Sequence, residues 1–357
     1  MSDGSTDPSP QSGSPQSAIT QSVITEVASV PAGTSTVSWV KGHGTLNDFV
    51  LLDDPDGQVF GDLDPELVRH LCDRRAGVGA DGVLRVIHPE ALADVPAADG
   101  AQWFMDYRNA DGSVAEMCGN GVRVFAQYLL ATGRAVPGAP VTIGTRAGLR
   151  TAHPVAPPGR SGALVPSALT SVPTSAGDRV PAATGPGPHD PASGWWSVDM
   201  GIADLAVHRS ERSPLSVAVD GDPNLRAAVG VDVGNPHAVV FVEDVADAGP
   251  LVFAPQVTPP GVFTGGVNVE FVVRTGPAGF RMRVHERGAG ETPSCGTGIC
   301  AAAAALHAAV GATGAVTWDV EVRGGRLTAE VVPAGTDRFR VVLTGPAVLV
   351  GEGRLTR

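Results

Sequence analysis

The sequence predicts an α/β (α+β) fold built from two similar halves. Three observations carry that expectation. Two cysteines share one glycine frame, Cys118-Gly119-Asn120-Gly121 and Cys295-Gly296-Thr297-Gly298. Each frame opens into a helix-like run. Short segments rich in valine and other apolar residues flank both runs and read as strands. The repeated order of strands, cysteine-led helix and strands is a weak internal duplication. It would set the two cysteines about a pseudo-two-fold axis.

Along the chain, residues 1–36 are rich in Ser, Thr, Pro, Gly and Gln and contain no aromatic residue. They read as a disordered tail with one strand-like stretch at 23–30. Segments 38–41 and 48–52 read as a strand pair around a Gly-His-Gly-Thr loop. Residues 64–74 have a helical pattern, with Leu67, Val68, Leu71 and Cys72 on one face. Strands are expected at 83–87 and 101–107. A helix follows over 122–130, burying a stripe of Val122, Phe125, Ala126 and Leu129, with Gly133 as its stop. Nine prolines and no aromatic residue mark 151–194 as an inserted loop of low order. Strands resume at 195–201, 238–242, 267–273 and 280–284. The second helix is expected over 299–310, followed by strands at 320–322, 327–331, 339–343 and 347–350. The division implied is a tail (1–36), a first domain (37–150), the loop (151–194) and a second domain (195–343). Segment 344–357 returns to the first domain.

Composition narrows the function. The 357 residues carry a net charge of −12, and Lys41 is the only lysine. No basic footprint for nucleic acid exists, and no charge run points to a membrane surface. No apolar run is long enough for a membrane-spanning helix, and no basic segment precedes a short apolar one as a secretory signal would require. Four cysteines in so long a chain do not form a disulfide framework, so a reducing cytoplasm is the consistent compartment.

Cysteine at a helix N-terminus has a specific physical setting. Glycines without Cβ let the following backbone N–H groups approach a ligand. Those unpaired donors and the helix dipole favour an anion. A thiol there is expected to have a lowered pKa and to act as a base near neutrality. Two such thiols facing one carbon would let one remove a proton while the other donates to the opposite face, which inverts a stereocentre. Donors aimed at a carboxylate would stabilise the charge that develops on proton removal. No lysine besides Lys41 could form a Schiff base, so no pyridoxal phosphate is expected. Neither cysteine has a Cys-x-x-Cys partner, so no metal is expected. Cys72 and Cys300 fit the commoner role of small packing residues.

Five ordered motifs then match a family. Asn109-Ala110-Asp111-Gly112-Ser113 leads to the first frame. Gly234-Asn235-Pro236-His237 and Asn268-Val269-Glu270-Phe271 follow. His285-Glu286-Arg287-Gly288-Ala289-Gly290-Glu291-Thr292 precedes the second frame. Together they resemble diaminopimelate epimerase, from about Gly42 to Gly353. The resemblance implies two similar domains, each a β-rich layer around a central helix, with the active site in the interdomain cleft. It implies cofactor-independent interconversion of LL- and meso-2,6-diaminopimelate, with Cys118 and Cys295 as base and acid. His237 and Glu286 would tune the thiols. Asn47, Asn109, Asn235, Asn268 and Glu286 match substrate-contacting positions, amides suiting a zwitterionic amino-acid end. Arg287 would grip the distal carboxylate. The backbone N–H groups of Gly119, Asn120, Gly296 and Thr297 would hold the α-carboxylate. Homodimerisation is the family-level expectation. Gly82 stands where some members have a contacting Gln, and Thr297 where Ser is common.

Other readings remain at this point. A proline or hydroxyproline racemase would use the same two thiols with a smaller monocarboxylate pocket. A non-catalytic amino-acid-binding protein would have no evident use for paired thiols. A metal-dependent hydrolase would lack its ligand cluster.

Overall fold

The first half begins with an antiparallel hairpin, β1 (Thr36–Gly44) and β2 (Asn47–Asp53), closed by Thr45 and Leu46, both at positive φ. The chain is described here from a computed structural model, which places residues 36–157, 193–205 and 214–356 apart from Asp94, Ala97 and Asp99. Helix α1 (Pro65–Cys72) starts at the Asp64 N-cap, whose side chain accepts from Glu66 N–H, and it buries the four residues of the expected stripe. Then come β3 (Gly82–Ile87), β4 (Trp103–Asn109), α2 (Gly119–Ala131), β5 (Val141–Thr145), β6 (Gly148–Val155) and β7 (Ser193–Asp204).

The second half adds β8 (Ser216–Val219), β9 (Asp222–Asp232), β10 (Pro236–Phe241), β11 (Gln256–Thr258), β12 (Asn268–Gly276), β13 (Gly279–Glu286) and β14 (Gly290–Thr292). Helix α3 (Gly296–Ala309), β15 (Val316–Val322), β16 (Gly325–Gly335) and β17 (Arg338–Thr356) complete it. The pairing order repeats. In the first half β2 runs parallel to β3, β3 antiparallel to β4, and β4 parallel to β5, with α2 between β4 and β5. In the second half β10, β12, β13 and β15 pair in the same senses, with α3 inserted before β15. Phe49 faces Gly82 as His237 faces Asn268, so these positions are equivalent across the pseudo-two-fold. The halves join where β7 pairs antiparallel with β17, and β17 also pairs with β1 and β16.

Each central helix is enclosed. Helix α2 is buried from Gly119 to Leu129 and α3 from Gly296 to His307, apart from Thr297, and both belong to one apolar core that spans the halves. Strand β3 is buried on both faces, with Leu84 and Val86 toward the central core and Val83 toward α1.

Several sequence expectations are corrected. Helix α2 has no single buried stripe, because strands surround it and Arg123, Val124 and Gln127 are buried too. Gly42-His43-Gly44 lies within β1, and the turn is Thr45-Leu46. Residues 151–155 belong to β6 and Ser193 and Gly194 to β7, so both ends of the proposed loop are strand, and 158–192 lie outside the described residues. The strands expected at 339–343 and 347–350 form one strand, β17. The tail and its strand-like stretch at 23–30 lie outside the described residues, as residues 1–35 do throughout.

Candidate active site

Cys118 is the N-cap of α2 and Cys295 the N-cap of α3. The two helix starts meet: a Cβ placed on Gly296 would lie 3.6 Å from Gly119 Cα and 3.6 Å from Asn120 N. A Cβ at Gly296 would make only ordinary contacts there, whereas one at Gly119 would crowd Met200 Sδ at 2.8 Å.

On the first side, Cys118 Sγ lies 3.5 Å from Asn47 Oδ1. Asn47 opens β2, and its Nδ2 donates to Asp81 Oδ2 at 2.8 Å. That bond turns Oδ1 toward Asn120 Nδ2, 3.1 Å away. Asp81 is held in turn by Arg74, which also bonds Asp48. Asn120 is buried, donates to Ser294 O at 3.3 Å and accepts from Arg123 Nη2 at 2.7 Å. Thr45 Oγ1 donates to Ser294 Oγ at 2.8 Å. The first half is therefore tied to the residue that precedes Cys295.

On the second side, Cys295 Sγ accepts from Gly298 N–H at 3.4 Å and lies 3.5 Å from Thr297 Oγ1. Glu286, the last residue of β13, bonds the Cys295 thiol and accepts from Thr292 Oγ1. Asn235 Nδ2 reaches Thr297 Oγ1 at 3.4 Å, and Asn235 Oδ1 lies 3.0 Å from His237 Nε2. His237 is fully buried, with Nδ1 2.7 Å from Glu270 Oε1.

The expected lowering of the thiol pKa values is overturned. Burial pushes Cys118 up to about 11; N–H groups of Gly121 and Asn120 oppose the rise, and the Glu286 charge adds to it. Burial pushes Cys295 well above its ordinary value, reinforced by Glu286 and Glu270. Helix-end donors are present as expected, but desolvation outweighs them. Glu286 is itself pushed up by burial, against its hydrogen bonds from Thr292 and Cys295.

These directions set a pH dependence of stability. Burial also raises Cys72 and Cys300, each to about 12, against an ordinary value of 9.0. Above pH 9 the unfolded chain releases thiol protons that the folded chain still holds, so the unfolding free energy falls as pH rises. Each raised thiol contributes a slope of up to about 1.4 kcal/mol per pH unit. Urea denaturation between about pH 8 and 10.5 under reductant should show this decline, and a Cys72→Ala/Cys300→Ala variant should decline less steeply. Equal slopes would contradict the assignment.

The remaining predicted residues are placed differently. Asn109 ends β4 and donates to Ser113 Oγ at 3.0 Å, within its own turn. Asn268 is buried, accepting from Arg287 N–H and donating to Pro236 O, so its amide fastens backbone segments. Arg287 is exposed, and its Nη1 donates to Gly265 O at 3.0 Å. A cavity of ≈ 250 Å³ opens beside it, lined by Val257, Pro259, Phe263, Val267 and His285 among others. Sequence reading did not single out Asp81, Arg123, Ser294 or Thr292. Glu270 left a signal that went unused: it is a carboxylate inside an apolar strand, on the face it shares with Asn268 two residues earlier. Among the described residues, no group of three or more His, Cys, Asp or Glu side chains could hold a metal ion. No described helix is long and apolar enough to cross a membrane.

A pseudo-two-fold α+β fold with a cysteine capping each central helix defines an isomerase of the racemase/epimerase class. The same fold occurs in a hydroxyproline epimerase from Agrobacterium vitis, at 15% identity and a TM-score of 0.55 over 90% of this chain and 92% of that one. It occurs also in a phenazine biosynthesis protein of the PhzF family from Bacillus anthracis, at 15% identity and a TM-score of 0.57 over 90% and 99%. The family model described as diaminopimelate epimerase matches residues 39–156 and 229–350. Relatives named diaminopimelate epimerase in Streptomyces coelicolor and Rhodococcus erythropolis are each 42% identical, over 90% of this chain and 96% and 97% of theirs. The chain belongs to the diaminopimelate epimerase family.

Proposed function

We propose that this enzyme interconverts LL- and meso-2,6-diaminopimelate without a cofactor, by proton transfer between two thiols. The reading places it in the cytoplasm, in the synthesis of lysine and peptidoglycan precursors, with a homodimer as the working assembly. One observation carries the mechanism: each cysteine is the N-cap residue of a central helix, and the two helix starts are in contact. A substrate α-carbon at that junction would present opposite faces to Cys118 and Cys295. One cysteine, as thiolate, takes the α-proton. The other, as thiol, delivers its proton to the opposite face, and the pair ends with its protonation states exchanged. The mechanism requires the two thiols to start in opposite protonation states, so their titration belongs to the pair, and the Glu286 charge raises both.

The surrounding groups divide the work. Backbone N–H groups of Gly119, Asn120, Gly296 and Thr297 hold the α-carboxylate and stabilise the negative charge that develops there. Glu286 and His237 tune the thiols. Asn47 and Asn235 position the reacting end. Arg287, exposed beside its cavity, meets the distal carboxylate, with Asn109 and Asn268 completing the contacts. The substrate's α-ammonium offsets the cost of forming a thiolate at these positions, which desolvation makes expensive.

The test is direct. LL-diaminopimelate incubated with the reduced enzyme should yield meso-diaminopimelate, whereas proline and 4-hydroxyproline should remain unchanged. No meso product would sink the substrate assignment. Turnover of proline in its place would establish the racemase reading.

A further inference from the structure

The pseudo-two-fold makes the two half-sites comparable residue by residue, and one of their differences lies directly behind the cysteine-led helix starts. Gly121 and Gly298 each lie three residues after their cysteine. Behind Gly121 sit Leu84 and Phe49: a Cβ there would lie 3.4 Å from Leu84 Cδ2 and 3.6 Å from Phe49 Cζ. Behind Gly298 sits Glu270, with Oε1 2.7 Å from the same hypothetical Cβ. Strand register equates the pairs. Phe49 and Leu84 occupy in β2 and β3 the positions that His237 and Glu270 occupy in β10 and β12. An apolar pair thus backs Cys118, and a buried hydrogen-bonded pair backs Cys295.

Two apolar residues suffice to pack the first half, so the polar pair is not required by the fold. It also carries a cost. Glu270 is fully buried, and its Oε2 has no hydrogen-bond partner among the described residues. A residue kept against that cost has a task in the half-site it backs. The available task is visible in the bonds. Glu270 Oε1 meets His237 Nδ1, and His237 Nε2 meets Asn235, which reaches Thr297 beside Cys295.

We propose that Glu270 is a positioning residue of the Cys295 half-site: by accepting from Nδ1–H it fixes the His237 ring, so that Nε2–H is held against Asn235 Oδ1. The Asn235 Oδ1 that faces Nε2 is an acceptor, as the Glu270 carboxylate is, so each ring nitrogen donates to the oxygen it faces. A carboxylate accepts only, so Nδ1 must donate. The Asn235 side chain is then locked in one orientation toward Thr297 and the substrate. The importance of this orientation for turnover rests on the function proposed above.

Two variants separate this role from packing and from charge. Glu270→Leu places at 270 the residue found at the equivalent position 84 and removes the acceptor. Glu270→Gln removes the charge but keeps a carbonyl acceptor for Nδ1–H. The expected result is a loss of about tenfold or more in kcat/KM for Glu270→Leu and a loss of at most about threefold for Glu270→Gln. In an Asn235→Ala background, Glu270→Leu should cost no further activity, because both act through one amide. Equal losses in the Leu and Gln variants, no loss in either, or full additivity with Asn235→Ala would each overturn the proposal. Nitrogen NMR of the wild-type histidines needs no variant and no turnover. His237 should be protonated on Nδ1, and a bare Nδ1 would refute the proposal even if the enzyme had another substrate.

Discussion

Alanine in place of either Cys118 or Cys295 should abolish epimerisation in both directions, with turnover down by about 10²–10⁴-fold, the range supplied by one general acid or base. The loss should be symmetric, because a reaction that begins with one thiolate must end with the other thiol deprotonated. Cys72 and Cys300 provide the contrast. Both are free, buried thiols packed in apolar clusters, Cys72 at the end of α1 and Cys300 on the second turn of α3. Their alanine variants should keep kcat and lose about 1 kcal/mol of stability from the lost packing. Steady-state rates beside circular-dichroism melts of all four variants check this. An inactive but folded Cys72→Ala or Cys300→Ala would show that the roles are misassigned.

The second large effect concerns the fold alone. Asp106 on β4 is fully buried and accepts from Arg108 Nε at 3.0 Å and Arg146 Nη2 at 2.8 Å. Arg85, also buried, lies 3.8 Å from it and is anchored mainly by Asp54 at 2.5 Å. Asp106→Ala would remove the shared counter-charge of three guanidinium groups. Removing one partner of a buried ion pair costs about 3–5 kcal/mol, because the other charge stays desolvated. Arg108 and Arg146 are partly exposed and can turn toward water, so a loss near the lower end, about 3 kcal/mol, is expected. The urea midpoint should fall with m unchanged, while the folded fraction keeps its turnover. A midpoint that does not move would contradict the account of this cluster.

How much of this was legible in the sequence depended on whether a residue's neighbours lay near it in the chain. The Cys-Gly-x-Gly frames marked both helix starts, because capping is local chemistry. Helix α1 was legible for the same reason: Asp64, Pro65 and a 3.6-residue apolar period sit within one short segment. Strands are expected on either side of Gly345-Pro346, yet β17 runs through it, because β7 pairs with it there, opposite Trp196 and Trp195. The stripe expected on α2 presumed one solvent face, and enclosure by both halves removed that face. In the site, Asp81 and Arg123 escaped notice because each acts through an asparagine distant from it in sequence or hidden inside a helix. Glu270 could have been found as a charge within an apolar strand. The thiol pKa directions required burial, which no local pattern supplies.

The central claim is that two separate groups, on opposite faces, carry the proton out and in. It is tested most directly by following the first few per cent of conversion of LL-diaminopimelate in heavy water. Two thiols predict that the meso product carries deuterium at the inverted carbon while recovered LL-diaminopimelate is still almost entirely protiated. The thiol that delivers has exchanged with solvent, whereas the thiolate that abstracts has not yet returned its proton. Meso product that retains the original hydrogen, or deuterium entering recovered substrate as fast as product, would point to a single base and contradict the account.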